Sequence, residues 1–306
     1  MMTASLLLRQ RLNDSAHTTL RDIVTGAPAL RNFSEPMAYG ITRHSEEIRR
    51  ELSSKDVRQT FANMMAAGFF RFLFDKYQYV HPTSLDQAEI TDCYHTLTDT
   101  VATGAKNMEL LHGGLRVHHD RLQKVTVRLL AAAGALDDVL CGANPPCRQY
   151  SPELQCQLLG LTDEDTRGPV LDLGCGEAAG LVVFLRLHGA FAWGLDRLAP
   201  DTEYTIRKDW FEIPVPSGSW RTIVAHMSFS LHFVHAHFHS EMEAQRYALA
   251  YMNILHGLQS GGSFIYAPGL PFIEPLLEPG KFHVEQRSIP VSNIGTVSVS
   301  RITKLH

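Results

Sequence analysis

Val170-Leu-Asp-Leu-Gly-Cys-Gly-Glu177 is the stretch that decides the fold. Its first four residues follow Pro169 and read as a short strand buried on both faces. The glycines after it let the backbone come close to a ligand, because glycine has no side chain to obstruct the approach. Outward from this point, short apolar strands alternate with helical segments: Val170–Leu173, Phe191–Asp196, Thr222–Met227, Ser263–Ala267, Phe282–Ile289 and Thr296–Thr303. That alternation specifies an α/β domain with a mostly parallel sheet covered on both faces. Only a turn-rich link with Pro290, Asn293 and Gly295 parts the last two strands, so they pair as an antiparallel hairpin.

Read as Gly174-x-Gly176-x-x-Ala179, the turn meets the loose dinucleotide fingerprint, which alone is weak. Charge separates the alternatives. A dinucleotide needs a free helix N-terminus for its pyrophosphate, whereas Glu177 is expected at this helix start and Asp172 ends the strand before it. Acidic surroundings suit a nucleoside that carries an ammonium and a sulfonium and no phosphate, which describes S-adenosylmethionine. Asp196 closes the next strand, roughly 20 residues on, where a carboxylate is expected to hold ribose hydroxyls. Cys175 reads as a small turn residue, with no histidine or second cysteine beside it to make it a nucleophile.

Before the turn the pattern changes. From about Arg21 to Leu140 apolar residues recur at helical spacing, and strand-like alternation is nearly absent. One helix is expected from Ser54 to His81-Pro82, burying Val57, Phe61, Met64, Met65, Phe69 and Phe72. A second follows Pro82-Thr83-Ser84 and buries Leu85, Ile90, Tyr94, Leu97 and Val101, and a third spans Asn107 to Ala133 with Gly113-Gly114 as a weak point or kink. The chain-breaking segment Cys141-Gly-Ala-Asn-Pro-Pro-Cys147 separates the halves, giving a helical domain over 1–146 and a nucleotide-type domain over 147–306. Ser151-Pro152-Glu153 opens the latter with a capping hydroxyl, a proline at the first helical position and an acid at the positive helix end, in a helix through Leu161.

Composition bounds the function. The 306 residues are 44% hydrophobic and 20% charged, with a net charge of -4, enough for a sizeable core and without the basic field that nucleic acid requires. A small-molecule substrate is expected. The apolar run Ala66-Ala-Gly-Phe-Phe-Arg-Phe-Leu-Phe74 is too short to span a bilayer and carries Arg71, and no signal peptide is read at the N-terminus. Five cysteines without paired spacing fit reduced thiols in a cytoplasmic protein. The run from His226 to His239 holds five imidazoles but no acidic partner until Glu241, so no metal site is assigned. His226 and Ser228, at the carboxyl end of a central strand, are placed instead for acid–base work or substrate orientation.

From Ser151 onward the chain resembles the class I S-adenosylmethionine-dependent methyltransferases. Val170 to Gly176 matches their first motif, and Asp196 in Gly194-Leu-Asp-Arg197 matches their ribose-binding acid. Asp209 with Trp210 matches their adenine-edge acid. Trp220-Arg-Thr-Ile-Val-Ala-His-Met-Ser228 matches their fourth-motif strand, and Leu258-Gln-Ser-Gly-Gly-Ser-Phe-Ile-Tyr266 the glycine turn before the fifth strand. The resemblance implies a Rossmann-like methyltransferase fold, a mostly parallel seven-stranded sheet with a C-terminal antiparallel hairpin, beside an all-helical N-terminal lid. It implies cofactor contacts from Asp172, Gly174, Cys175, Gly176, Asp196, Arg197, Asp209 and Trp210. Arg148, Gln149 and Tyr150 are further candidates, for the amino acid end of the cofactor. In the helical half Tyr77 and Tyr79 are candidates to face the sulfonium, since an aromatic ring attracts a desolvated cation by about 2 kcal/mol. The default reaction is methyl transfer to a small amine or similar nucleophile in specialised metabolism. No Asn/Asp-Pro-Pro-Tyr motif points to amide or nucleobase methylation. More distantly, Gln149 to Gln155 and Tyr266-Ala-Pro-Gly-Leu-Pro-Phe-Ile-Glu274 are similar to bacterial azetidine-2-carboxylate synthases, in which the cofactor closes on itself and releases methylthioadenosine. A non-catalytic cofactor-binding protein is a third alternative, and oligomeric state is left open.

Overall fold

The structure, a computed structural model, describes residues 20–26, 38–104, 106–141, 150–212, 216–291 and 295–306. The chain divides into two compact units, Met1–Cys147 and Arg148–His306.

The first unit has no strand among its described residues: α1 (Leu20–Thr25), α2 (Ser45–Glu51), α3 (Lys55–Lys76), α4 (Ser84–Gly104), α5 (Met108–Ala132) and α6 (Leu136–Cys141) are its main elements. Pro82 blocks any extension of α3 into α4. Thr83 then opens α4 with a reciprocal cap: Asp86 Oδ2 accepts from Thr83 N at 2.9 Å and from its hydroxyl at 2.6 Å, and Asp86 N donates back to that hydroxyl. α5 is uninterrupted through Gly113-Gly114, the expected weak point or kink. A Cβ on Gly114 would lie 2.5 Å from Thr100 Cγ2, so this glycine is a close contact between α4 and α5. α3 ends at Lys76, short of Pro82, because Tyr77 turns extended and buries its ring completely in the core. Three expected core residues lie outside it: Val57, Met64 and Leu85 are all exposed, Leu85 at 80%.

The second unit opens with α7 (Pro152–Leu159), capped by Ser151 as its sequence requires, and α8 (Asp163–Thr166). Then follow β1 (Val170–Leu173), α9 (Gly180–Leu187), β2 (Ala192–Leu195), β3 (Thr205–Ile206) and β4 (Trp220–His226). The chain continues through α10 (Phe229–His239), α11 (Glu241–Gly257), β5 (Leu258–Ala267), β6 (Phe282–Val291) and β7 (Gly295–Lys304). The sheet order is β3-β2-β1-β4-β5-β7-β6, with the first five strands parallel and β7 inserted antiparallel between β5 and β6. The dinucleotide order 3-2-1-4-5-6 has no such inserted strand. This unit therefore has the Rossmann-like methyltransferase fold. Its seventh strand, β3, is only two residues long, too short to leave a periodic signal. Phe191, expected in β2, precedes it and is exposed.

Alternate strand residues feed two cores, as a sheet covered on both faces demands. Leu171, Leu173, Ile223, Ala225, Phe264 and Tyr266 pack with residues of α10 and α11, whereas Val170, Val224, Ile265 and Ala267 pack with α7 and α9. By the same alternation Asp172 and His226 belong to the α7/α9 face of adjacent strands. Asp172 is in register with Val224, so His226 lies one side-chain step nearer the carboxyl edge.

Candidate cofactor site

The two turn glycines do different work. Gly174 has φ +80°, and a Cβ there would lie 2.4 Å from Ser228 Cβ, so the position demands glycine both for its backbone and for packing against the end of β4. Gly176 has φ +72°, and a Cβ there would meet nothing within 4 Å. Its backbone borders open space and is the part of the turn that a ligand can approach. Cys175 lies over β2, its sulfur 2.6 Å from where a Gly194 Cβ would stand. Burial, with Asp172 and Asp196 nearby, pushes its thiol well up, so it is a packing residue and no nucleophile.

Glu177 is not at a helix start. Ala179, at φ 45°, ends the turn and α9 begins at Gly180 with no acid in its first turn, leaving Glu177 exposed in the turn itself. The acidic character of the site rests instead on three aspartates. Asp196 follows β2 directly; its Oδ2 accepts from Gly176 N at 3.0 Å and its Oδ1 from Leu198 N at 2.7 Å. These bonds orient the carboxylate, yet each oxygen keeps a lone pair for a further donor. Burial raises the Asp196 carboxyl above its ordinary range; the two backbone donors and Arg197 oppose the rise, and Asp209 adds to it. Asp172 is 3% exposed and, among the described residues, has no hydrogen-bond partner. Burial and then the neighbouring Asp196 push its carboxyl up to about 7. Asp209 Oδ1 accepts from Phe211 N at 3.1 Å. The three acids thus form an electrostatically coupled group along the carboxyl edge of β1 and β2, relieved by Arg197.

Trp210, beside Asp209, is held by rings from two helices: Phe229 and His232 of α10 and Tyr247 of α11 lie edge-on or tilted to it, at 5.8, 5.0 and 6.3 Å between centroids. Its ring edge reaches to 3.4 Å from a Cβ position on Gly174, which ties this aromatic group to the turn. Nothing local in the sequence marks these partners, since each is 19 or more positions away and has the composition of ordinary core. At the end of β4, His226 is buried, with Tyr150 edge-on at 4.8 Å. Among the described residues its imidazole has no hydrogen-bond partner, and burial lowers its pKa to about 4. It is a neutral hydrogen-bonding group at physiological pH and a poor base. Ser228 is buried too, and its hydroxyl donates to Leu173 O at 2.6 Å, fastening β4 to the end of β1. In this arrangement its proton is held by that carbonyl.

The other imidazoles of the stretch are spread along α10. His232 is buried, His235 and His239 stack on each other at 4.2 Å, and His237 stacks on Phe272 at 3.9 Å. Among the described residues no three His, Cys, Asp or Glu side chains are grouped to hold a metal ion, and no helix is long and apolar enough to cross a membrane. Tyr77 and Tyr79 belong to the helical unit, where their rings meet edge-on at 5.6 Å and Tyr77 is part of the core. Arg148 and Gln149 lie outside the described residues.

No protein-family model matches the chain, and no curated protein matches its sequence. Among solved structures, the N-methyltransferase NodS from Bradyrhizobium japonicum WM9 matches at 15% identity over 50% of this chain and 96% of its own, with a TM-score of 0.37. An S-adenosylmethionine-dependent O-methyltransferase from Thermotoga maritima matches at 14% identity over 56% and 71%, with a TM-score of 0.34. An S-adenosylmethionine-dependent methyltransferase from Mesorhizobium loti matches at 19% identity over 48% and 63%, with a TM-score of 0.29.

Proposed function

We propose that the second unit binds S-adenosylmethionine and transfers its methyl group to a small amine or similar neutral nucleophile, in specialised metabolism. The observation that carries this reading is the Asp196 carboxylate, held by two backbone N–H groups beside the open face of Gly176, with one lone pair free on each oxygen. That arrangement fits the paired hydroxyls of a ribose. Asp209 and the caged ring of Trp210 stand next to it for the nucleobase, and the buried Asp172, without a hydrogen-bond partner among the described residues, suits the ammonium of an amino acid end. When bound, the cofactor supplies an electrophilic methyl on a sulfonium.

The residues of this chain then position and exclude water. His226, neutral and without a hydrogen-bond partner among the described residues, accepts a hydrogen bond from the N–H of an incoming amine and orients its lone pair. As the new N–C bond forms, the nitrogen becomes an ammonium, and its proton leaves to solvent, since an imidazole with a pKa of about 4 does not hold it. Ser228 acts at one remove, by fixing the end of β4 against the turn. A carboxylate or phenolate nucleophile would meet the three acids at close range, which is why an uncharged nitrogen is favoured.

Calorimetric titration with S-adenosylmethionine tests the binding step: Asp196→Ala is expected to weaken affinity by about a hundredfold, the effect of losing charge-assisted hydrogen bonds. Retained affinity overturns the ribose assignment. Mass spectrometry of incubations with and without amine acceptors tests the reaction. S-adenosylhomocysteine that appears only with an amine supports methyl transfer. Methylthioadenosine with azetidine-2-carboxylate from the cofactor alone replaces it with ring closure, and binding with neither product means a non-catalytic protein.

A further inference from the structure

The helical unit contains a cleft of about 420 Å³ that plays no part in the proposed reaction, lined by Arg49, Arg50, Leu52, Ser53, Arg58 and Thr103 together with Glu46 and Ala102. We propose that it binds a small multivalent oxyanion, a molecule carrying clustered phosphate or carboxylate groups. The case begins with Arg58, whose guanidinium is fixed in place. Its Nε donates to Asp99 Oδ1 at 2.7 Å and its Nη1 to Leu52 O and Ser53 O at 2.8 and 3.1 Å. Three of its five N–H groups are thereby used, and the two on Nη2 remain to donate. Arg49 and Arg50, in the last turn of α2, make no ion pair or hydrogen bond among the described residues.

The groups that would repel an anion here are already neutralised. The Glu46 carboxylate is bound by Lys106 Nζ at 2.6 Å, and Asp99 is paired with Arg58 at 2.7 Å. The carbonyls of Leu52 and Ser53 are covered by Arg58 itself. What faces the cleft is a preorganised guanidinium and two further unpaired ones, a donor set matched to oxyanions by its planar forks. With Arg58 paired to Asp99, the unmatched charges are those of Arg49 and Arg50, and one monovalent carboxylate would leave one of them unmatched, which is why a multivalent ligand is favoured.

Calorimetric titration of the full chain with inorganic pyrophosphate and, separately, with citrate at fixed ionic strength tests the proposal. Saturable binding of one ligand per chain is expected. The tighter of the two identifies phosphate or carboxylate as the recognised chemistry. Arg49→Ala/Arg50→Ala is expected to weaken binding at least tenfold, and Arg58→Lys, which keeps the charge but loses the fork, by a smaller factor. Arg43→Ala/Arg116→Ala removes the same charge at exposed positions outside the cleft and is expected to change affinity less than twofold. Equal losses in both double variants reduce the effect to net charge and overturn the site, as does the absence of saturable binding to the native chain. Because Arg49 and Arg50 are surface side chains, unchanged circular dichroism of the variants separates lost binding from lost folding.

Discussion

Asp165, just before β1, and Asp172, near the carboxyl end of that strand, are both more than nine-tenths buried, and they are treated in opposite ways. Asp165, before the amino end of β1, receives four donors: Arg301 Nη1 and Nη2 at 2.6 and 2.9 Å, and the N–H and hydroxyl of Thr162, each at 2.8 Å. Burial raises its carboxyl, but the Arg301 and Thr162 bonds outweigh that and hold it below its ordinary range. Asp172, at the carboxyl end, receives none of this and sits at about 7. A buried acid that is fully satisfied belongs to the architecture, here tying β7 to the entrance of β1. One left unsatisfied costs stability, and the fold retains that cost at the edge where ligands of such sheets gather.

Breaking the satisfied end should have the largest effect. Arg301→Ala strands the Asp165 charge and is expected to lower the stability of the second unit by about 3–5 kcal/mol, the usual result of removing one partner of a buried pair. All three tryptophans, Trp193, Trp210 and Trp220, lie in this unit, so urea unfolding followed by tryptophan fluorescence reports on it selectively. The contribution of Asp165 is present above the unfolded carboxyl pKa of about 3.9 and fades as the pH falls through its lower folded value. A loss below about 1 kcal/mol at pH 7 would place Asp165 in the same class as Asp172.

At the other end the sign reverses. Asp172 has a raised folded pKa, so its penalty is absent below about pH 3.9 and is fully expressed once the pH exceeds about 7. Asp172→Asn is therefore expected to stabilise the unit at pH 8 by on the order of 2 kcal/mol, with the gain vanishing near pH 4. The same variant should bind S-adenosylmethionine more weakly under the proposed function. Destabilisation at pH 8 would show that Asp172, like Asp165, serves the fold.

The carboxyl edge was the more legible of the two ends in sequence. A strand, two glycines and an acid at the end of the next strand are local features, and β1, β2 and the β6–β7 hairpin follow from them within a few residues. The Arg301 contact to Asp165 spans 136 positions and has no local trace. The same holds for the rings around Trp210, which come from α10 and α11. Glu177 was misplaced for a subtler reason: Ala179 takes a left-handed conformation that delays the helix to Gly180, a choice rarely made by a residue with a Cβ. In the helical unit the periodicity identified α3, α4 and α5 but overcalled their cores, because Val57, Met64 and Leu85 share the composition of buried positions without their neighbours. Gly114 gave a false sign of weakness, since a glycine that seats a threonine of the preceding helix is indistinguishable in sequence from one that loosens its own.

Ser228 offers the finest test of where architecture stops and chemistry begins. It stands at the functional edge, yet its hydroxyl is spent on Leu173 O and its Cβ on the face of Gly174, so by contact it resembles Asp165 more than Asp172. Ser228→Ala keeps the Cβ and removes the one hydrogen bond. The expected cost is about 1 kcal/mol in the tryptophan-reported transition. Turnover of an amine acceptor should stay within twofold of the native rate at saturating cofactor, because neither the acids nor His226 has moved. If kcat instead falls tenfold or more while the stability loss remains about 1 kcal/mol, the hydroxyl is acting on the reacting groups, and the division between the two ends of β1 does not extend to the end of β4.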